Sequence, residues 1–126
     1  MLNCTAHEVR IIKPSCAVFN NEVRKFILTE PLHLATFLVI PKSGILLSAK
    51  YYTVAEEPID GIPIMSEEVV GVDKPTVGED CIVSQKYAAA FRLSDYRPAS
   101  LFCVGRPVYA TADGKQPVGV LDLQRA

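Results

Sequence analysis

Every apolar run in this chain of 126 residues is cut short by a proline or a turn-forming pair, and that punctuation limits what it can fold into. Residues 8 to 13, "EVRIIK", read as a first strand stopped by Pro14. "SCAVFNNEVRKFILTEP" reads as two short strands around Asn20-Asn21, a pair that tolerates turn geometry. After Pro31 comes "LHLATFLVI", rich in β-branched and aromatic residues, and it carries His33 in what reads as an alternating strand. The "PKSG" loop separates it from "ILLSAKYYTV", so the two runs read as a hairpin. Glu56 to Asp60, with Pro58, reads as a loop. "GIPIM" and "EEVVGV" read as short strands, with Pro63 confined to an edge or a strand start, and "DKPTVGED" is a loop by composition.

One helix is expected. "CIVSQKYAAAF" starts as a buried strand and meets Ser84, a favoured N-cap. Tyr87, Ala88 and Phe91 then share an apolar face, and three consecutive alanines favour the helical state. The helix should end before Ser94. Near the C-terminus, Asp113-Gly114 lies between two strand-like runs and fits a two-residue type I′ turn. That register sets Tyr109 opposite Val118 and Ala110 opposite Pro117. The expected fold is therefore α+β but mainly β: a single domain over 1–126, a small antiparallel barrel or sandwich with one short helix around residues 84–92.

Composition removes several classes of function. Thirteen basic and fourteen acidic residues leave no surplus for nucleic-acid polymers. The longest apolar-leaning run, Leu32 to Ile40, is too short to span a bilayer, and no basic-then-apolar leader opens the chain. The expected location is the cytoplasm. Cys4, Cys16, Cys81 and Cys103 are widely and irregularly spaced, which fits reduced thiols, with Cys81 and Cys103 as small core residues.

The polar candidates fall into two groups. The first is "NCTAH", where Asn3, Thr5 and His7 alternate and would share one face if extended. Cys4 and His7 have C-x-x-H spacing, but zinc needs two further ligands, so no metal is expected. The second group is Ser84, at the start of the helix, with Arg92, Asp95 and Arg97 after it. A helix N-terminus and paired guanidiniums both suit a phosphate or carboxylate. The plain alternatives are an ordinary N-cap and a solvated ion pair. Neither common nucleotide-binding glycine signature occurs, no nucleophile elbow is present, and no cofactor is expected.

The order of these segments resembles a family of small, largely uncharacterised proteins encoded by bacteriophages and prophages. Their pattern opens Asn-Leu-Thr-Pro-His, here "NCTAHEV". It continues through a Pro-x-Ser-Gly turn ("PKSG"), a Gly-Ile-Pro strand ("GIPI") and an Ile-Val-Ser segment entering an Ala-rich helix ("CIVSQKYAAAF"). An Arg/acidic/Pro segment ("RLSDYRP") and an Asp-Gly turn with a closing Val-Gly strand ("ATADGKQPVGV") complete it. Asn3, Thr5, His7, Ser84, Arg92 and Asp95 match its polar positions, whereas Cys4 and Ala6 replace Leu and Pro. The resemblance implies a phage context rather than a mechanism. The expectation it leads to is a non-enzymatic, homo-oligomeric anti-defence protein that sequesters a small anionic, nucleotide-derived ligand. Asn3, Thr5, His7, Ser84, Arg92, Asp95 and Arg97 would form its pocket. The alternatives are a phage structural or host-protein-binding module and, third, a phosphodiester-cleaving enzyme with His7 as general base.

Overall fold

The computed structural model describes residues 1–73, 79–92 and 101–126, with Phe91 and Arg92 described by their backbone alone. Its organising feature is the C-terminal hairpin. Strands β10 (Pro107–Tyr109) and β11 (Gly119–Val120) pair antiparallel, Pro107 with Val120 and Val108 with Gly119. Strands β9 (Leu101–Val104) and β12 (Leu123–Arg125) continue the same register, Val104 with Leu123 and Phe102 with Arg125. This is the pairing expected from a turn centred on Asp113-Gly114, and it runs on to Phe102. The turn itself differs from the expected type I′. Gly114 donates its amide to the Thr111 carbonyl (3.1 Å), and it is not among the residues with positive φ.

Midway, the two-stranded ladder bends. β10 and β11 belong to a six-stranded sheet, whereas β9 and β12 belong to a four-stranded one. The bend falls at Gly105-Arg106 opposite Leu121-Asp122. There the amides of Gly105 and Leu121 donate to the carbonyls of Asp122 (2.8 Å) and Arg106 (2.9 Å). The Asp122 carboxylate accepts from the Arg106 amide (3.0 Å) and Nε (2.8 Å), and its guanidinium Nη2 lies 2.7 Å away. Strands that switch sheets at such a bend are the standard way to join two sheets at a corner.

The larger sheet runs β3-β4-β10-β11-β2-β5, with β2 Val9–Ile12, β3 Ala17–Asn20, β4 Lys25–Leu28 and β5 Thr36–Ile40. β3 and β4 form the hairpin expected around Asn20-Asn21. Asn20 Oδ1 accepts the amides of Glu22 and Val23, and Arg24 takes φ +56° to close the turn. The smaller sheet runs β1-β8-β9-β12, with β1 Leu2–Asn3 and β8 Cys81–Ile82. Helix α2, Gln85–Arg92, follows β8 as expected.

Several expectations are corrected. The sheets are mixed and open, not an antiparallel barrel: β1 and β9 flank β8 in parallel, as β4 and β2 do β10 and β11. A second short helix, α1, takes Leu32–Ala35 out of the expected strand and places exposed His33 on a helical turn. Pro31 starts that turn, the Thr36 hydroxyl closes it on the Leu32 carbonyl (2.6 Å), and Ala35 is thereby buried beside Ile12 and Val108. β5 does not pair with the run after "PKSG"; it pairs with β2. Instead β6 (Ala49–Ile59) and β7 (Ile62–Val72) form a separate two-stranded ribbon. The segment Glu56 to Ile59 is strand rather than loop. Pro58 is tolerated because both strands of such a ribbon have a free edge, and the pairing is irregular between Glu56 and Ile59. Its two-residue turn is Asp60-Gly61, at φ +52° and +78°, the conformation expected at Asp113-Gly114. Of the "DKPTVGED" loop, residues 74–78 lie outside the described residues, as does Ser94.

The core has three parts. Cys81, Leu101 and Cys103 of the smaller sheet, with Cys4 and Val83 just past the ends of β1 and β8, pack with Leu47 and with Tyr87 and Ala88 of α2. On the opposite face, Ile82 meets Val9 and Val120 of the larger sheet. Beyond these, Ile12, Ala35, Val108 and Leu121 form a third cluster. Cys81 and Cys103 are buried as expected, and Cys4 is buried with them. Burial is the main cause that pushes the Cys81 thiol up to about 11, far from a reactive thiolate.

The corner yields two expected outcomes. A Cβ on Gly105 would lie 2.8 Å from the Asp122 carbonyl oxygen, so Gly105→Ala should destabilise by about 1–3 kcal/mol, read as a lower urea midpoint. The Arg106 amide, and after it the guanidinium, holds the Asp122 carboxyl below its ordinary range, against an opposing effect of burial. A depressed carboxyl stabilises the fold above its unfolded value of about 4, and that contribution disappears as pH falls through the lower folded value. Urea midpoints measured from pH 6 to pH 2 should therefore fall less steeply for Asp122→Asn than for the parent.

Candidate functional site

Because β1 and β8 run parallel, the turn that leaves β1 and the helix that leaves β8 emerge at the same end of the smaller sheet. The first is "NCTAH". Asn3 is 1% exposed, and its amide is fully engaged. Nδ2 donates to the carbonyls of His7 (2.8 Å) and Ile40 (3.1 Å). Oδ1 accepts the Thr5 amide (3.0 Å) and lies 2.6 Å from the Thr5 hydroxyl, which is also 3.0 Å from the His7 carbonyl. The Asn3 backbone carbonyl takes both the amide (2.9 Å) and the hydroxyl (2.8 Å) of Ser43. An Asx-type turn thus replaces the extended conformation in which residues 3, 5 and 7 would share a face.

Asn3 therefore ties three segments together, its side-chain amide joining the turn at 3–7 to the end of β5 and its backbone carbonyl holding the "PKSG" segment. His7 is left exposed, and with Ala6, Glu8, Pro41 and Lys42 it lines an open depression of about 440 Å³.

The second exit is Ser84. Its Oγ accepts the Tyr87 amide (3.1 Å), and its carbonyl accepts the Ala88 amide (3.0 Å), which is a regular N-cap. The amides of Gln85 and Lys86 have no acceptor within a helix that starts at Gln85, so the helix end keeps its partial positive charge. Tyr87 fixes the helix from below, its hydroxyl donating to the Asp73 carbonyl (2.6 Å). Burial drives the phenol well above its ordinary value, so it stays protonated.

The two exits leave toward opposite sides. Asn3 pairs with Ile82, on the face toward Val9 and Val120, and the chain crosses to the larger sheet on that side. Cys4, Cys81 and Val83 occupy the other face, where α2 lies. Ser84 is not among the residues lining the His7 depression. Arg92 is the last residue of α2, and eight steps of helix from Ser84 correspond to about 12 Å, so the backbones of these two residues sit at opposite ends of the helix. The Arg92 side chain, Asp95 and Arg97 lie outside the described residues.

Among the described residues, no three His, Cys, Asp or Glu side chains are grouped to hold a metal ion. No helix among them is long and apolar enough to cross a membrane. Glu8 and Lys42 are the site neighbours that sequence reasoning missed. Lys42 stood in what reads as a hairpin loop, and only the bridge between Asn3 and Lys42 brings it to His7. No family model, curated protein or solved structure matches the chain.

Substitution separates the two exits. Asn3→Ala removes several buried hydrogen bonds at once and should cost about 2–4 kcal/mol in urea unfolding, whereas Ser84→Ala should cost about 1 kcal/mol.

Proposed function

We propose that this protein binds a small anionic, nucleotide-derived ligand without converting it, at the carboxyl ends of β1 and β8, and acts as a phage anti-defence factor. The observation that carries the reading is the divergence just described. Adjacent parallel strands whose following connections leave toward opposite faces open a crevice at their carboxyl ends, and ligands of open sheets with parallel strands favour such a place. The residues near these two strand ends supply the chemistry. The first-turn amides of α2 favour negative charge, and His7 and Lys42 add donors beside the β1 exit. The anti-defence role rests on the resemblance to phage proteins, and the host cytoplasm is the location this reading implies.

A second reading has its own support. The Asn3 amide is saturated by the protein itself, as a strand-exit turn in a structural or host-protein-binding module would be. Cofractionation with virions would favour that alternative.

A thermal-shift screen against nucleotides, cyclic dinucleotides and ADP-ribose derivatives, followed by mass spectrometry of the released ligand, tests capture directly. The expected result is stabilisation by one class and recovery of that ligand unchanged. His7→Ala and Lys42→Ala should each weaken the shift at least several-fold in ligand concentration while leaving the unliganded melting temperature in place. Absence of a shift with every class overturns the proposal, and a chemically altered ligand replaces it with catalysis.

A further inference from the structure

The ligand reading uses His7 and Lys42, and the surface next to them carries a further cation. Glu8 lines the His7 depression and also a second one, of about 190 Å³, whose walls include Val9, Arg10, Val104, Pro117 and Val118. The two depressions thus adjoin at the Glu8 carboxylate. The strand register sets their spacing. Val9 pairs with Ile40 and Arg10 with Val39, so Lys42 lies three residues beyond the partner of Arg10. Three residues of strand span roughly 10 Å, and side chains at either end reach inward from there.

Arg10 is oriented but not saturated. Its side chain is 28% exposed, and Nη1 donates to the Thr36 hydroxyl (3.0 Å). The Glu8 carboxylate stands 3.8 Å from Nη2, an ion pair too long for a hydrogen bond. A guanidinium carries five N–H donors, and among the described residues one of them is engaged by a side chain. Held in place and partly dried, such a group suits a bidentate bond to a phosphate. The valines and proline around it suit the apolar face of a base. Glu8 lies between the two cationic ends, and its charge opposes a phosphate chain that runs unbroken from one to the other. Its oxygens accept instead from a hydroxyl or an N–H in the middle of the ligand.

We infer that the ligand carries two phosphate groups set apart by a nucleoside, one held by His7 and Lys42 and the other by Arg10, with Glu8 facing the uncharged part between them. The inference rests on the ligand proposal and narrows it. A dinucleotide, linear or cyclic, has this spacing of charge. A nucleoside triphosphate and ADP-ribose do not, because their phosphates are contiguous.

Isothermal titration calorimetry of the full chain tests it, with nucleoside triphosphates, ADP-ribose, 5′-phosphorylated linear dinucleotides and cyclic dinucleotides of each base as probes. A dinucleotide should bind about tenfold or more tightly than any triphosphate or ADP-ribose, the worth of one charge-assisted pair. Arg10→Gln should remove that advantage, weakening dinucleotides about tenfold more than triphosphates. Glu8→Gln should narrow the same gap from the other side, by raising the affinity for triphosphates. Both side chains reach solvent, so the unliganded melting temperature should stay that of the parent. Should Arg10→Gln lower it, Glu8→Gln, at a position 60% exposed, decides the matter. Triphosphates or ADP-ribose binding as tightly as dinucleotides overturn the inference, as does an Arg10→Gln variant that weakens every probe alike or none. In those cases capture at His7 and Lys42 still stands. Binding of no probe at all overturns the capture proposal and this inference with it.

Discussion

The bend in the C-terminal ladder is the constraint on which the rest of the structure depends. A single antiparallel pair, running from Phe102 opposite Arg125 to Val108 opposite Gly119, is shared by both sheets: its outer half lies at the centre of the larger one and its inner half forms one end of the smaller. It can change sheets because Gly105 has no side chain where the Asp122 carboxylate comes in to meet Arg106. Every other strand of these two sheets then attaches, directly or through a neighbour, to one half or the other. β4 and β2 flank the outer half, and β8 followed by β1 extends the inner half. The two faces enclosing Ile82, Val9 and Val120 are thereby set against each other.

That arrangement makes the N-terminal residues a clamp. β1 is two residues long and could not hold its place by ladder bonds alone. The buried Asn3 amide supplies the remainder, joining its own turn to Ile40 while its backbone carbonyl holds Ser43. A buried side chain with every donor and acceptor engaged is favourable because none of its desolvation goes uncompensated. The same engagement defines its part in ligand recognition: Asn3 and Thr5 shape the β1 exit, while His7 and Lys42 are the groups beside it open to solvent. Ser84 is equally a cap first, and what it leaves over is the charge of the helix end rather than its own hydroxyl.

The legible parts of the fold were those encoded within a few residues. Asn20-Asn21 marked a hairpin because an asparagine side chain can satisfy the amides of its own turn, as Asn20 does. Ser84 marked a helix start for the same local reason. The C-terminal register was also legible, since a turn position fixes the pairing of the strands it joins. Local signals misled where two readings were equally good. "LHLATFLVI" has strand composition throughout, yet Pro31 and Thr36 convert its first half into a helical turn that buries Ala35. Asp60-Gly61 and Asp113-Gly114 are identical dipeptides. Only the first takes the doubly left-handed turn, because Ile59 and Ile62 pair directly across it whereas the longer 110–117 connection has room for other geometry.

The sequence by itself determined the mainly β character, the helix after Ser84, the 109/118 register and the burial of Cys81 and Cys103. All of these follow from side-chain chemistry acting over short distances along the chain. Only the tertiary structure decided that β1 lies parallel to β8, since a parallel pairing joins segments about eighty residues apart and leaves no turn signal between them. The tertiary structure likewise brought Lys42 beside His7, turned Asn3 inward, and set the β6–β7 ribbon off from both sheets. Each of these depends on which backbone edges remain unpaired once the bent C-terminal ladder has taken its place.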